Sequence, residues 1–227
     1  MDHILDNPAW NALTSGNKSM SLGTETVKYF SDDVAPFIGF KEYTFENFNT
    51  LYNHFKEGRR CAVVSANEIT FPHSWKIIER LNILQMAYIK PFVKPFDNKN
   101  IVSLGNMDIE EMTQLTQLTH PGPFKNGTIS FGHYEGIFDN GKLVAMAGQR
   151  LHPCPYVEIS AVCTHPDFLK KGLASQLILS QVLRICSSSE IPFLHVVADN
   201  VKAIKLYNEL GFTKRSDILI YVIEKNM

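Results

Sequence analysis

Apolar residues change period along the chain, and the changes mark out its elements. From Glu46 to Lys56, Phe48, Leu51, Tyr52 and Phe55 recur at helical spacing. Cys61-Ala62-Val63-Val64-Ser65 is a short unbroken apolar run, the pattern of a buried strand. Between Trp75 and Ala87 the apolar positions (Trp75, Ile78, Leu81, Ile83, Leu84, Met86) fit a helix or a strand. Pro91, Pro95 and the polar run Asp97-Asn98-Lys99-Asn100 then predict a linker or domain edge, dividing the chain into 1–97 and 98–227.

The second part reads more sharply. Ile101 to Leu104 predicts a strand, and Met107 to Leu118 a helix with Asp108 as N-cap and Glu110 and Glu111 in its first turn. His120-Pro121-Gly122-Pro123-Phe124 must be a loop. Strands at His133 to Phe138 and Lys142 to Arg150 flank Asp139-Asn140-Gly141, a strong hairpin signal. A β-branched strand covers 156–164, and a helix runs from Gly172 to about Ser187 with Leu173, Leu177, Val182 and Ile185 on one side. A strand from Pro192 to Ala198, a helix from Asn200 to Leu210, and closing strands in Thr213 to Glu224 around a turn at Ser216-Asp217 complete the series. The order β-α-β-β-β-α-β-α-β predicts a mixed α/β sheet, not strict βαβ alternation.

Composition narrows the class. With 44% hydrophobic residues the chain can bury a substantial core, so disorder is excluded. A formal charge of -1 gives no footing for a nucleic-acid or membrane-surface partner. The cysteines (Cys61, Cys154, Cys163, Cys186) form no C-x-x-C pair and no zinc-like spacing, so reduced thiols and no metal are expected. No signal peptide or membrane span is evident, and a soluble cytoplasmic protein, monomer or homodimer, is expected.

The chemistry gathers between 156 and 212. The strand ending at Thr164 turns through His165-Pro166-Asp167, and Lys170-Lys171-Gly172-Leu173-Ala174-Ser175 opens the next helix. Gly172 removes a Cβ where a diphosphate could approach, the first-turn N–H groups are unpaired donors, and Lys170, Lys171 and Ser175 add charge and a hydroxyl. The same residues also fit an ordinary tight strand-to-helix turn. Asn200 suits an N-cap and Gly211 a C′ position, which equally describes a well-capped helix with Tyr207 in the core. Cys163 could be a nucleophile, although strand geometry does not assure a contact with His165, two residues away.

Leu169-Lys170-Lys171-Gly172-Leu173-Ala174, together with Asn200, Ala203, Leu206, Tyr207, Leu210, Gly211 and Phe212, resembles the acyl-CoA-binding core of the GNAT superfamily of N-acetyltransferases. Leu169 departs from the Arg or Gln usual at that position. The resemblance covers about 100–227. It implies a C-terminal GNAT fold preceded by an N-terminal degenerate GNAT-like half, which would cover the sheet and help shape the acceptor pocket. Residues 144–148 and 158–166 look like the glycine N-acyltransferase-like branch.

The resemblance further implies acetyl-CoA as co-substrate and transfer, by direct attack in a ternary complex, to a primary amine of a small molecule, amino acid or peptide. In such a complex Cys163 would be an apolar strand residue. Val162, Cys163 and Thr164 would hydrogen-bond the pantetheine arm through their main chain. Lys170, Lys171, Gly172, Leu173, Ala174 and Ser175 would hold the diphosphate, and Asn200 would contact the arm. Tyr207 would serve as general acid toward the thiolate. Glu158, six residues before Thr164 and so expected on the same strand face, would be the general base, with His120, His133 and Glu135 as weaker alternatives. The Val162 or Cys163 N–H could polarise the thioester carbonyl. A non-catalytic acyl-CoA binder is the rival reading.

Overall fold

The computed structural model describes residues 3–90 and 98–226; Pro91, Pro95 and Asp97 of the expected linker lie outside them. The first part of the chain forms α1 (Pro8–Thr14), β1 (Leu22–Gly23), β2 (Val27–Tyr29), β3 (Phe37–Phe40), α2 (Phe45–His54), β4 (Cys61–Ser65) and β5 (Trp75–Tyr88). The second forms β6 (Val102–Ser103), α3 (Ile109–Thr119), β7 (Glu135–Asp139), β8 (Lys142–Gln149), β9 (Tyr156–Thr164), α4 (Leu173–Ser187), β10 (Ile191–Val197), α5 (Val201–Leu210) and β11 (Phe212–Lys225). All the strands join one mixed sheet, ordered β1-β2-β3-β4-β11-β5-β10-β9-β8-β7-β6. The predicted mixed α/β fold is therefore the observed one.

Local chemistry explains most boundaries. Asn140 (φ 48) and Gly141 (φ 79) both adopt the positive φ that a tight β7–β8 hairpin demands. Asn200 caps α5 by accepting from Ala203 N–H at 3.2 Å, and Gly211 (φ 110) ends it. The ambiguous 75–87 stretch resolves as a strand because β5 finds a partner, β11, along its whole length.

Two expectations are corrected. Asp108 does not cap α3 with its side chain, which instead accepts from Gly105 N–H at 2.8 Å in the preceding short turn. No turn forms at Ser216-Asp217, since β11 continues through as one strand with a bulge. Lys214 pairs with Met86 and Ser216 with Gln85, leaving Arg215 as the extra residue. Its guanidinium donates to Gln85 and, at 2.7 Å, to Asp6. That polar anchor makes a bulge the better solution.

The two parts repeat one plan. Each has an antiparallel strand pair (β2–β3, β8–β9), a helical crossover to a parallel strand (α2 to β4, α4 to β10) and a long last strand (β5, β11). The last strands are exchanged: β5 pairs with β10, and β11 with β4. The apolar clusters place α2, α4 and α5 on one sheet face and α1 and α3 on the other.

Candidate active site

The starts of the two crossover helices differ in one respect that matters chemically. At α2 the Thr44 hydroxyl accepts from Asn47 N–H at 3.3 Å, so that helix supplies its own cap. At α4 the N-cap is Gly172, φ +75, which has no side chain to do so. Gln176 N–H is the first to bond within the chain, to Gly172 O at 3.1 Å. The N–H groups of Leu173, Ala174 and Ser175 precede it and keep no intrahelical acceptor. A Cβ on Gly172 would meet nothing within 4 Å.

These groups open on a cavity of ≈ 470 Å³ between α4 and α5, walled by Thr164, Phe168, Lys170, Gly172, Asn200 and Leu206 among others. Thr164 Oγ1, on a residue of its lining, is buried without a hydrogen-bond partner. Unpaired donors at a helix N-terminus and an orphaned hydroxyl suit a diphosphate and its attached amide-bearing arm. Lys171 does not line this cavity; its Nζ lies 4.2 Å from the centroid of the Phe168 ring.

Beside that cavity the sheet splits. Strands β9 and β10 pair only through Tyr156–Ile191, Val157–Pro192 and Glu158–Phe193, after which β9 follows β8 alone. His165 donates to Val144 O at 2.8 Å. Alternation along the strand then turns the Cys163 main chain toward β8 and leaves the N–H and C=O of Val162 and Thr164 toward the split. Of the expected arm-binding trio, two face the opening.

A bulge at Ala161, φ 53, shifts the β8–β9 register between Ser160 and Cys163. One extra residue reverses which side each later residue faces. Val157 and Ile159 pack toward α4 before the bulge, and Val162 does so after it. Glu158 and Thr164 consequently lie on opposite faces, contrary to the shared face that a six-residue spacing predicts.

Glu158 is fully buried. Arg150 grips both its oxygens (Nε to Oε2 2.9 Å, Nη2 to Oε1 2.6 Å), Leu151 N–H donates at 3.2 Å, and His195 Nδ1 lies 2.7 Å from Oε1. Burial alone would raise this carboxyl, but the Arg150 and His195 contacts outweigh it and hold the group well below the usual carboxylate range. Such a carboxylate is a weak proton acceptor. Behind it, Gln85 Nε2 contacts His195 Nε2 at 2.9 Å and donates to Leu5 O at 3.0 Å. The Arg150 and His195 ends of this network were not singled out by sequence reasoning; isolated polar residues inside apolar strands, such as Gln85 and His195, were the available signal.

Tyr207 packs in the apolar cluster of α4 and α5 with Val162, and burial pushes its phenol up to about 12. Burial likewise pushes the Cys163 thiol up to about 11, against a role as a thiolate. Glu135 is engaged by Gln181 at 2.9 Å and Arg184 at 2.9 Å, tying α4 to β7. Among the described residues, His152, Cys154 and Glu190 bring three ligand atoms within 4.8 Å of one another, a set able to hold a metal ion. Distant sequence positions make that cluster, so no short motif announces it.

On the α1 and α3 face, a second cavity of ≈ 420 Å³ spreads over the central strands β4, β11, β5 and β10. Phe37, Ala62, Leu81, Ile83, Val197 and Ile220 are among its apolar walls, and Arg150 and His195 close one end. A narrow annex shares Pro121, Pro123, Thr128 and Arg150 with it and reaches Ser160 and Ala161 at the bulge. The annex thus joins the second cavity to the bulge, three residues before Thr164 in the lining of the first.

The FR47-like family model matches residues 134–220. A GNAT-family protein from Novosphingobium aromaticivorans is 32% identical over 100% of both chains, with a TM-score of 0.93. A GCN5-related N-acetyltransferase from Kribbella flavida (13% identity, 95% of this chain and 94% of that one, TM-score 0.63) shares the fold. So does a GNAT-family acetyltransferase from Colwellia psychrerythraea (13%, 99% and 98%, TM-score 0.54). No curated protein matches the sequence. The chain belongs to the GNAT family. No helix among the described residues is long and apolar enough to cross a membrane.

Proposed function

We propose that the protein is an N-acetyltransferase that moves an acetyl group from acetyl-CoA to the primary amine of a small molecule by direct attack. One observation carries this reading: the uncapped start of α4 and the orphaned Thr164 hydroxyl share a cavity, and Thr164 lies on the part of β9 that has left β10. Leu173, Ala174 and Ser175 N–H would hold the diphosphate, with Lys170 beside them. Val162 and Thr164 would pair with the pantetheine arm, and Asn200 would line its path. Bound acetyl-CoA supplies the activated thioester. The amine nitrogen forms the new C–N bond, the C–S pair leaves with sulfur, and one nitrogen proton is lost as the thiolate gains one, giving the amide and the CoA thiol. Tyr207, kept neutral by burial, would donate a hydrogen bond to that sulfur.

Glu158 fits a positioning role better than that of a base, because both its oxygens are occupied. We assign 98–227 to the acyl donor and 1–97 to the acceptor wall, since Phe37, Ala62, Leu81 and Ile83 line the second cavity. Placement in the glycine N-acyltransferase-like branch rests on 144–148 and 158–166 alone.

CoA release measured across a panel of amines tests the reading. Tyr207→Phe should lower kcat by about 10–100-fold while leaving the affinity for CoA within twofold. Acetyl-CoA binding without turnover for any amine would make the protein an acyl-CoA sensor instead. Leu169, 57% exposed on the cavity rim, stands where the family carries Arg or Gln. Leu169→Arg should tighten CoA binding by roughly 3–10-fold at low salt, with the gain shrinking as salt rises, by calorimetric titration.

A further inference from the structure

We propose that the acceptor is an apolar primary amine, an alkyl- or arylalkylamine, whose hydrocarbon body fills the ≈ 420 Å³ cavity on the α1 and α3 face. The inference rests on the N-acetyltransferase reading above and adds the substrate class.

Most residues lining this cavity are apolar, and its polar groups other than Glu79 are already engaged. Arg150 is spent on Glu158, and His195 is held between Glu158 and Gln85. Thr128 Oγ1 donates to Val34 O at 2.8 Å and accepts from Lys125 N–H at 2.9 Å. At the rim, Lys125 Nζ pairs with Asp32 at 2.9 Å and Arg60 with Glu224 at 3.1 Å. Glu79, exposed on β5, lines the cavity with no ion pair among the described residues.

These commitments sort the possible acceptors. The α-carboxylate of an amino acid would enter past Glu79 and meet, among the described lining residues, only cations already paired, which is costly in an apolar site. A diamine would either hold its second ammonium back at Glu79, on the exposed rim, or bury it unpaired against Leu81, Ile83 and Ile220. An apolar amine incurs neither penalty and gains from each methylene removed from water. The walls also favour the uncharged amine, because burial disfavours an ammonium. The acceptor would thus reach the thioester as free RNH2. Its nitrogen bonds to the carbonyl carbon, sulfur departs with the C–S pair, and one nitrogen proton leaves to give RNH-acetyl and the CoA thiol. This removes the need for a carboxylate base, in keeping with Glu158 being fully engaged.

The test is kcat/KM at constant free-base concentration for n-alkylamines of increasing length, arylalkylamines, amino acids and diamines. The expected result is a rise of about fourfold per methylene until the cavity is full. Amino acids and diamines of equal carbon count should be roughly 100-fold poorer. Leu81→Trp, placing bulk on the half-buried cavity wall, should move the optimum to shorter chains; its thermal unfolding reports whether the fold is kept. Ile220→Ala should move it to longer ones. A flat length dependence, a preference for amino acids or diamines, or an unmoved optimum in both variants would overturn the proposal while leaving the acetyltransferase reading intact. Failure of acetyl-CoA to bind, or of every amine class to turn over, would overturn both.

Discussion

Gly172→Glu protein is expected to bind acetyl-CoA and CoA at least about 100-fold more weakly than wild type, by calorimetric titration. Two effects act together. Any side chain at φ +75 costs roughly 1–2 kcal/mol in backbone strain. A carboxylate beside the open N–H groups of Leu173, Ala174 and Ser175 would also satisfy them internally and repel a diphosphate. Gly172→Ala separates the two, because it adds the strain without the charge, and a Cβ there meets no neighbour within 4 Å. The alanine variant should therefore lose only a small part of the affinity. Full affinity in the glutamate variant would remove the start of α4 from the donor site.

Glu158→Gln is expected to have the largest effect on stability. It leaves the Arg150 guanidinium buried without its anion, a change that costs about 3–5 kcal/mol. In a domain of this size that lowers Tm by roughly 6–20 °C, read by thermal unfolding at pH 7. The pH dependence has a definite sign. The carboxyl sits below its ordinary value of 4.5 in the folded protein, so its contribution is complete above that value and declines as pH falls further. Wild type should lose stability steeply below about pH 4.5, while the variant's acid limb is shallower. Replacing the pair together, Arg150→Met with Glu158→Leu, should recover much of the loss. If Glu158→Gln instead keeps its Tm, the network does not hold the split sheet together.

Most elements were legible because their signals are local. Asn140-Gly141 demands positive φ at both residues, Asn200 and Gly211 frame α5, and Gly172 marks an uncapped helix start whatever the rest of the chain does. The residues around that start were legible for the same reason. What sequence did not reveal depends on distant partners. The β5 strand acquired its identity from β11, and Arg215 turned an expected corner into a bulge by reaching Gln85 and Asp6. The bulge at Ala161 mattered most. Nothing in Ser160-Ala161-Val162 distinguishes a regular strand from a bulged one, yet that single residue moved Glu158 to the opposite face. Arg150 follows β8, His195 lies on β10 and Gln85 on β5, so their convergence around Glu158 had no local sign.

The exchange of last strands governs how the molecule must be made. On the ribosome, β1 to β5 emerge first, but the slot for β5 lies between β10 and β11, which are synthesised last. The early half therefore waits with long β5 edges unpaired, and the sheet closes only when the C-terminal strand arrives. Contacts so far apart in sequence make for slow closure and a long exposure to other chains. Each half made alone should therefore present a long strand edge without its partner.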